Sequence, residues 1–324
     1  FHGYGMSANN QMSYGNMRAV ADTAGFILVY PQGTLFWGFP HWNVGSWTLG
    51  STADDIGFTE AMIDTLAANY NIDLNRVYSC GYSNGGYFSF VLACQLSAEI
   101  AAIGAVGGTM STETYNSCNP SHPTPVVTIH GTDDATVSYS GGNPNNSESL
   151  SDVNTYWANY NNTIVSPVVS NLPNINTTDG STVELSLFDN GDNCTSVEHY
   201  KVIGGDHDWP GSWGNMDINA DAVIWSFVSK YDLNGLIGCA TTSINENNNT
   251  QENYKIYPNH VHTQITIDLG LAVEKEFRLY NPIGELVLTG VLNSQISTID
   301  LSSLPPNVYV LNINNHSIKL IKTE

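Results

Sequence analysis

Short runs of apolar residues without polar alternation recur through the first part of the chain, and helix-like stretches separate them. The runs occupy residues 26–30, 77–80, 101–106 and 125–129. A strand that is covered on both faces of a parallel sheet has this composition, whereas a half-exposed strand alternates apolar and polar residues. The pattern therefore predicts an α/β domain with a mostly parallel sheet and helices on both faces. An active site is then expected at the carboxyl ends of the strands.

Helical spacing predicts a helix that begins near Asp54 and a last helix over residues 220–228, after a strand at residues 197–203. The apolar face of the first helix, at spacings of seven, three and four residues, comprises Ile56, Ile63, Leu66 and Tyr70. Asp54 and Asp55 fit the first turn as capping residues, because carboxylates there accept unpaired backbone N–H groups.

Residues 138–193 are rich in Asn, Ser, Thr and Gly, unlike the apolar runs on either side. We expect this region to be an insertion or a lid at the edge of the site, with one helix around residues 151–161.

The end of the chain follows a different pattern. A polar run at residues 241–252 predicts a linker. Beyond it, alternating runs separated by turn residues predict a small antiparallel β-sandwich, and they lie at residues 264–269, 276–280, 285–288 and 308–313. We therefore expect an α/β domain over residues 1–240 and an all-β domain over residues 253–324.

The chain is strongly acidic. Its 324 residues include 9 Lys and Arg against 30 Asp and Glu, which gives a formal net charge of −21. This charge argues against nucleic acids and anionic lipid surfaces as partners. No run of about 18 apolar residues is present, so no membrane span is expected.

The cysteines do not form a metal-binding pattern. Cys80, Cys94, Cys118, Cys194 and Cys239 fit no Cys-x-x-Cys zinc spacing, and an odd number permits at most two disulfides. Cys80 lies in a predicted strand and is expected to be the buried, unreactive thiol. We expect no metal and no other cofactor.

The segment Gly81-Tyr82-Ser83-Asn84-Gly85 lies between the run at 77–80 and a helix-like stretch at 87–93. Gly-x-Ser-x-Gly in this setting is the pattern of a nucleophile elbow, in which small neighbours let the backbone turn sharply and lift the serine hydroxyl above the sheet edge. The pattern also occurs by chance, but the strand before it and the helix after it favour the catalytic interpretation.

A serine nucleophile needs a base that takes its proton and a carboxylate that orients the base. In an α/β-hydrolase these follow in the order Ser, acid, His, each in a loop after a strand. Asp133 and Asp134 follow one predicted strand and His207 follows a later one, and these positions alone leave both aspartates open as the acid. The other histidines considered are expected to pack or to bind backbone groups, and they are His2, His122, His130 and His199.

The transition state of acyl transfer also needs donors for an oxyanion. The backbone N–H of Asn84 is the first expected donor, and the N–H of Tyr4, after His2-Gly3, is the second. The first five residues are typical of the end of a strand rather than of its beginning. We therefore expect the N-terminal strands of the domain to be missing from this sequence.

Six segments, in order, resemble the poly(3-hydroxybutyrate) depolymerase and feruloyl esterase group of secreted α/β-hydrolases. They are residues 1–5, 30–33, 54–58, 81–86, 130–137 and 204–211, and the resemblance covers residues 1 to 235. It implies a carboxylic-ester hydrolase, and the family pattern His-Gly-x-x-Asp-x-x-Val places the acid on Asp134, because Val137 falls three residues later. The chain departs from the family at Ser138, which is usually Pro, and at Asp206, which is usually Gly.

The same resemblance bears on the disulfides. In this group a Cys often precedes the Trp-Asn pair, and here His41 takes that place, which removes one familiar disulfide. By similarity Cys94 pairs with Cys118, which would tie the elbow helix to the loop after the next strand.

The end of the chain resembles the C-terminal sorting domain of type IX secretion in Bacteroidetes. The matching segments are residues 256–259, 279–287, 299–304, 308–309 and 319–322. The chain departs from the pattern at His260, usually Pro, and at Asn307, usually Gly. The resemblance implies that the tail is an address read by the secretion machinery and that the enzyme is exported or surface-attached, where a disulfide would persist.

We therefore predict a secreted serine ester hydrolase in which Ser83 attacks the carbonyl, His207 transfers the proton and Asp134 orients His207. Three tryptophans are candidates for an acyl pocket, with ordinary packing as an equally good interpretation, and they are Trp42, Trp47 and Trp209. The substrate is left open among feruloylated or acetylated polysaccharides, short acyl esters and polyhydroxyalkanoates.

Parts of the sequence also suggest two other functions. The first is a degenerate hydrolase fold that binds a glycan or polymer through the aromatic loop at residues 36–47, and the complete Ser83, Asp134 and His207 set argues against it. The second is a metal hydrolase that uses residues 206–208. It is disfavoured because three consecutive residues of an extended chain cannot all face one ion.

Overall fold

The computed structural model describes residues 1–142, 145–239, 255–257, 260–269, 274–281, 284–313 and 316–323. The chain divides into two compact units, Phe1–Thr241 and Thr242–Glu324. The linker expected at residues 241–252 lies outside the described residues. None of the helices in the described ranges has the length and apolar character needed to span a bilayer.

A six-stranded sheet organises the first unit. Two helices, α1 (Ala8–Tyr14) and α2 (Arg18–Ala24), and a hairpin of β1 (Leu35–Phe36) and β2 (Phe39–Pro40) precede it. The strands of the sheet are β3 (Tyr78–Tyr82), β4 (Ala102–Val106), β5 (Val126–Gly131), β6 (Val168–Asn171), β7 (Thr182–Phe188) and β8 (Val197–Ile203). Their spatial order is β3-β4-β5-β8-β7-β6. The first four are parallel, whereas β7 and β6 are antiparallel to their neighbours, so the prediction of a mostly parallel sheet is confirmed.

Helices cover both faces of this sheet, as the apolar runs predicted. They are α3 (Asp55–Asn69), α4 (Asn84–Gln95), α5 (Thr112–Ser117), α6 (Leu150–Tyr160) and α7 (Ala220–Val228). Successive residues of a strand point to opposite faces. In β4, Ile103 packs in the core that contains α4 and α6, while Ala102 packs in the core that contains α7.

The predicted caps of α3 are only partly right. Asp54 is the N-cap and accepts a hydrogen bond from the backbone N–H of Gly57 at 2.9 Å. The carboxylate of Asp55 instead accepts the backbone N–H of Asn43 at 2.6 Å, so it ties the aromatic loop to the helix. Tyr70, expected on the buried face, lies at the end of the helix and is exposed.

Residues 26–30 were predicted to form a buried parallel strand, and that prediction is wrong. The segment belongs to no sheet, and Ile27 and Val29 are exposed. A strand needs a neighbour to pair its backbone groups, and no described strand pairs with this segment.

Residues 138–193 were expected to be an insertion or a lid with one helix around residues 151–161; the helix is confirmed as α6, but the region is not a lid. The region contributes α6, whose Val153 and Trp157 lie in the core, and the antiparallel strands β6 and β7 at one edge of the sheet. All four residues of β6 are exposed, so this edge strand lacks the apolar signal of a central strand.

Two short strands, β9 (Tyr231–Asp232) and β10 (Gly235–Leu236), end the described part of the first unit. The described part of the second unit forms two sheets, β11-β13-β16 and β12-β18-β17-β14-β15. Their strands are β11 (Lys255–Tyr257), β12 (His260–Val261), β13 (Gln264–Asp268), β14 (Lys275–Tyr280), β15 (Leu286–Leu292), β16 (Ile296–Asp300), β17 (Asn307–Ile313) and β18 (His316–Lys322). In β17, Tyr309, Leu311 and Ile313 are buried while Val308 and Val310 are exposed, which is the alternation of a sheet with one covered face.

Two disulfides lie in or at the end of the first unit. The pairing of Cys94 with Cys118 is confirmed, and it ties the end of α4 to the loop after α5. Cys194 pairs with Cys239. Cys80 is the free thiol, and burial raises its pKa, so it stays protonated and unreactive.

Candidate active site

Ser83 lies on the turn between β3 and α4, with a positive backbone φ of 52° and ψ of −118°. A positive φ is strained for a residue with a side chain, and such strain is concentrated at functional sites. The turn depends on its glycines, because a Cβ at Gly81 would collide with the backbone of Gly85 and a Cβ at Gly85 would collide with that of Phe1. The backbone N–H of Ser83 donates to the carbonyl of Val106 at 2.8 Å.

Asp134 and His207 come together at the same edge of the sheet. Asp134 follows β5 and His207 follows β8, and Oδ2 of the carboxylate lies 2.6 Å from Nδ1 of the imidazole. Oδ1 accepts the backbone N–H groups of Thr136 and Val137 at 2.8 and 2.7 Å. Burial alone would raise the pKa of the Asp134 carboxyl, but hydrogen bonds from His130 and His207 outweigh burial and hold the pKa well below its usual range. The carboxylate therefore stays ionised.

A second histidine contacts the same oxygen. Nε2 of His130 lies 3.2 Å from Oδ2 of Asp134 and 2.8 Å from the carbonyl of Val137. Asp133, by contrast, is exposed and accepts only the hydroxyl of Thr132. Of the two aspartates, the fold therefore brings Asp134 to His207.

The imidazole of His207 lies beside the elbow. The ring centroid of His207 is 4.9 Å from that of Tyr82, and the Tyr82 hydroxyl donates to the backbone carbonyl of His207 at 2.6 Å. A Cβ at Gly107 would lie 3.1 Å from Nδ1 and Cε1 of the imidazole. The residue before it, Val106, accepts the backbone N–H of Ser83 with its carbonyl, so residues 106 and 107 adjoin both Ser83 and His207. Neither the Ser83 hydroxyl nor His207 Nε2 makes a hydrogen bond to a described residue.

The departure at Asp206 shapes the loop that carries His207. Oδ1 of Asp206 accepts the backbone N–H of His207 at 2.8 Å and that of Ala135 at 3.5 Å. The extra carboxylate therefore links the histidine loop to the loop that carries Asp134.

Two backbone N–H groups next to Ser83 have no acceptor among the described residues. Residues 3–6 form a turn in which Met6 N–H donates to Gly3 O at 3.1 Å, and the N–H of Tyr4 is unpaired. Asn84 is the first residue of α4, where an N–H has no partner within the helix. The turn adjoins the nucleophile, because a Cβ at Gly3 would lie 3.4 Å from Cβ of Ser83.

Buried polar groups hold this turn and the elbow together. His2 is fully buried, and its Nε2 accepts the backbone N–H of Gly33 at 3.0 Å. Burial lowers its pKa, so it stays neutral and can act as this acceptor. The side-chain oxygen of Asn84 accepts the backbone N–H of Trp42 at 2.7 Å, and the side-chain NH₂ of Asn84 donates to the Trp42 carbonyl at 3.0 Å. The Trp42 indole N–H donates to His2 O at 3.0 Å.

These contacts correct the role expected for two tryptophans. Trp42 is 0% exposed and stacks on Phe88, and Trp209 is 1% exposed and donates to the Asp221 carboxylate at 3.0 Å. Both rings are covered by protein, so packing is the correct interpretation for them. Trp47 is half-buried next to Tyr4, at a ring distance of 5.5 Å, and keeps its place as a candidate substrate contact.

Other aromatic side chains lie at the site, and of these Tyr14 and Trp213 were missed in the sequence, whereas Phe39 belongs to the aromatic loop at residues 36–47. The ring of Tyr14 lies 5.0 Å from that of Tyr82 and 6.4 Å from that of Trp213, which is exposed. On the other side, the ring of Phe39 lies 5.7 Å from that of Tyr4. Their sequence signal was only a high local content of aromatic residues, which does not separate exposed rings from buried ones.

A cavity of about 410 Å³ lies between residues 26–31 and β3, and none of Ser83, Asp134 and His207 lines it. The candidate site therefore lies outside this cavity. Within the described ranges, no group of three or more His, Cys, Asp and Glu side chains is arranged to hold a metal ion.

Comparison with known proteins gives two matches within the chain. Residues 51–167 match the family model described as Phospholipase/Carboxylesterase. Residues 255–323 match the model described as Secretion system C-terminal sorting domain.

Individual relatives match parts of the chain. A bifunctional acetylxylan esterase/xylanase from Neocallimastix patriciarum is 27% identical over 243 residues, which are 74% of this chain and 31% of that protein. Feruloyl esterase B from Piromyces equi is 35% identical over 103 residues, which are 31% of this chain and 19% of that protein. The chain thus spans about a third or less of the length of these relatives. The solved acetyl xylan esterase from Aspergillus awamori aligns over 70% of this chain and 86% of its own, with 17% identity and a TM-score of 0.49.

The mostly parallel sheet, the serine elbow after β3 and the match over residues 51–167 agree with one another. The chain therefore contains an α/β-hydrolase domain of the carboxylesterase type followed by a C-terminal sorting domain, and the sorting domain indicates a secreted or cell-surface protein.

Proposed function

We propose that the protein is a serine carboxylic-ester hydrolase with Ser83 as nucleophile, His207 as base and Asp134 as the acid that orients it. The observation that carries this proposal is the 2.6 Å contact between His207 Nδ1 and the ionised, buried Asp134, beside a serine on a strained elbow. These groups come from the carboxyl ends of three parallel strands, which is the arrangement that acyl transfer by serine requires.

The mechanism follows from these contacts. Ser83 Oγ attacks the ester carbonyl as its proton passes to His207 Nε2, and Asp134 stabilises the imidazolium that forms. The unpaired N–H groups of Tyr4 and Asn84 donate to the oxyanion of the tetrahedral intermediate. The intermediate collapses to an acyl-enzyme when His207 returns the proton to the departing alcohol. Water, activated by the same histidine, then releases the acid and restores the serine.

We propose acyl esters of plant polysaccharides as the substrate class, with acetyl and feruloyl groups as the acyl part. The names of the two relatives support this class. Trp47 and the exposed Trp213 are the proposed substrate contacts nearest to the site. We further propose that residues 253–324 are an address recognised by the type IX secretion machinery and take no part in hydrolysis.

The test is a substrate panel with the full chain. Release of acid from p-nitrophenyl acetate, methyl ferulate, acetylated xylan and a polyhydroxybutyrate film is compared between the wild type and Ser83→Ala. We expect turnover of the small ester and of at least one polysaccharide or feruloyl ester, and its loss in the variant. Turnover of the film alone would move the substrate class to polyesters, and no turnover of any ester would contradict the proposal.

A further inference from the structure

The hairpin formed by β1 and β2 has a strained residue at its tip. Phe36 pairs with Phe39, so the connecting loop is the two residues Trp37 and Gly38, with φ of 51° and 87°. Positive φ at both loop positions defines a type I′ turn, for which Asn-Gly is the usual sequence. A tryptophan at the first position is unfavourable, because a bulky side chain is a rare occupant of this backbone region.

The same residue exposes its side chain. The indole of Trp37 is 82% exposed and stacks on the ring of Phe36, with 4.7 Å between the ring centroids. Leu35 and Phe39 on the same hairpin are also exposed. Neither the strain nor the exposed apolar surface helps the fold, and such features mark sites where a ligand binds.

The hairpin is continuous with the candidate active site. The backbone N–H of Gly5 donates to Pro40 O at 2.8 Å, and the Tyr4 hydroxyl lies 3.5 Å from Phe36 O. The hairpin is therefore attached to the turn that offers the Tyr4 N–H to the oxyanion. The Trp37 ring is thus connected to this turn through Phe36, on which it stacks.

The charge of this surface indicates an uncharged ligand. Residues 23–53 contain no Asp, Glu, Lys or Arg, although the chain as a whole carries a net charge of −21. A polyanion or an anionic bilayer would be repelled by the protein and would meet no cation on the hairpin. A sugar ring suits an exposed aromatic ring such as that of Trp37 or Phe39, because its C–H face stacks on the ring while its hydroxyl groups stay hydrated at the rim.

We propose that Trp37 and Phe39 form a subsite that binds the neutral glycan chain of an ester-bearing polysaccharide and holds it beside Ser83. The inference rests on the proposed function for the ester, but binding at the hairpin requires no chemistry. The subsite would raise the local concentration of esterified sugar residues at the serine.

Binding is measured in full-length protein that carries Ser83→Ala, so that it does not depend on hydrolysis. The probe is insoluble neutral arabinoxylan, and the fraction of protein that it removes from solution gives the affinity. Trp37→Ala and Trp37→Asn are each expected to weaken binding by about tenfold, the loss typical of an exposed aromatic anchor. Leu74→Ala is the matched control. Leu74 is 51% exposed and lies just before the amino end of β3, whereas the candidate site lies at the carboxyl ends of the strands.

Trp37→Asn separates loss of binding from loss of the hairpin. Asn is preferred at this turn position, so the variant is expected to keep or raise Tm while it loses binding. Unchanged binding in both Trp37 variants, or no binding of arabinoxylan by the parent protein, would overturn the subsite. Equal loss on a polyester film and on arabinoxylan would overturn its assignment to sugars. Turnover of p-nitrophenyl acetate by protein with an intact Ser83 reports separately on the proposed hydrolysis.

Discussion

The two halves of the candidate site are held together by different forces. In the acid half, one ionised carboxylate, that of Asp134, contacts both His130 and His207. In the elbow half, the corresponding contacts join uncharged groups: the turn at Tyr4 is held by the neutral His2, by Trp42 and by the side chain of Asn84.

The two halves are therefore expected to respond to different kinds of substitution. Replacing a carboxylate by an amide changes the electrostatics of the acid half with almost no change in volume. The elbow half lies on a close-packed core, where lost volume or an unpaired backbone group lowers the stability of the fold. The first kind of change is therefore expected to alter activity without unfolding, and the second to alter both.

The largest expected effect is that of Asp134→Asn. The amide cannot stabilise the imidazolium and favours the wrong tautomer of His207, so kcat on p-nitrophenyl acetate should fall by about 10⁴-fold, as in other serine triads. Asp133→Asn is the matched control, since its side chain is exposed and does not reach His207. A variant at position 134 as active as the control would remove Asp134 from the mechanism.

Trp42→Ala tests the elbow half. Its ring is fully buried against Phe1 and Phe88, so truncation should lower the free energy of unfolding by about 3–5 kcal/mol. The exposed Trp213 offers a comparison, because Trp213→Ala should change the free energy of unfolding by no more than about 0.5 kcal/mol. Urea unfolding of both variants measures the difference, and equal stability would mean that Trp42 does not support the elbow.

Asn84→Ala is expected to lower the free energy of unfolding by an amount comparable to that of Trp42→Ala. It leaves the buried backbone N–H and carbonyl of Trp42 without partners, at a cost of about 1–3 kcal/mol for each group. The backbone N–H of residue 84 remains, so a fall in kcat would report displacement of the elbow rather than loss of the donor itself. Unchanged stability would show that other groups replace the lost bonds.

A further prediction is a pH dependence of stability from His199, a buried histidine on β8. Its Nδ1 contacts the Thr128 hydroxyl and its Nε2 the Tyr139 hydroxyl, each at 2.7 Å. Burial lowers its pKa to about 3, against about 6.5 in the unfolded chain.

Between these two pKa values the unfolded state binds one more proton than the folded state. The free energy of unfolding should therefore fall by about 1.4 kcal/mol for each pH unit of acidification from pH 6.5 toward 3, with no contribution from His199 above this window. His2 acts in the same direction, because burial also lowers its pKa. His199→Gln should thus reduce the slope of unfolding free energy against pH without abolishing it. Identical slopes for variant and wild type would contradict this assignment.

Local signals in the sequence were enough for the central parts of the fold. The parallel strands β3, β4 and β5, the capping by Asp54 and the elbow at Ser83 depend on residues close together in the chain. The family pattern selected Asp134 over Asp133, and the contact with His207 agrees with that selection.

What the sequence did not reveal depends on partners far along the chain. Trp37 and Trp42 lie in one aromatic loop, yet Trp42 is enclosed by Phe1 and Phe88 while Trp37 projects from the hairpin. Only the fold decides this. The strand expected at residues 26–30 failed for a related reason, since apolar composition does not supply a neighbouring strand. The edge strand β6 escaped notice because an exposed strand has no apolar run.

The central claim is that Ser83 is a nucleophile activated by His207, and covalent labelling tests it most directly. A fluorophosphonate probe is applied to the wild type, to Ser83→Ala and to Ser117→Ala, an exposed serine on α5 that serves as control. We expect the probe to attach to Ser83 in the wild type and in the Ser117→Ala control. In Ser83→Ala we expect no labelling and a fall in p-nitrophenyl acetate turnover of about 10⁴-fold or more. Labelling at another residue, or near-normal turnover by Ser83→Ala, would contradict the claim.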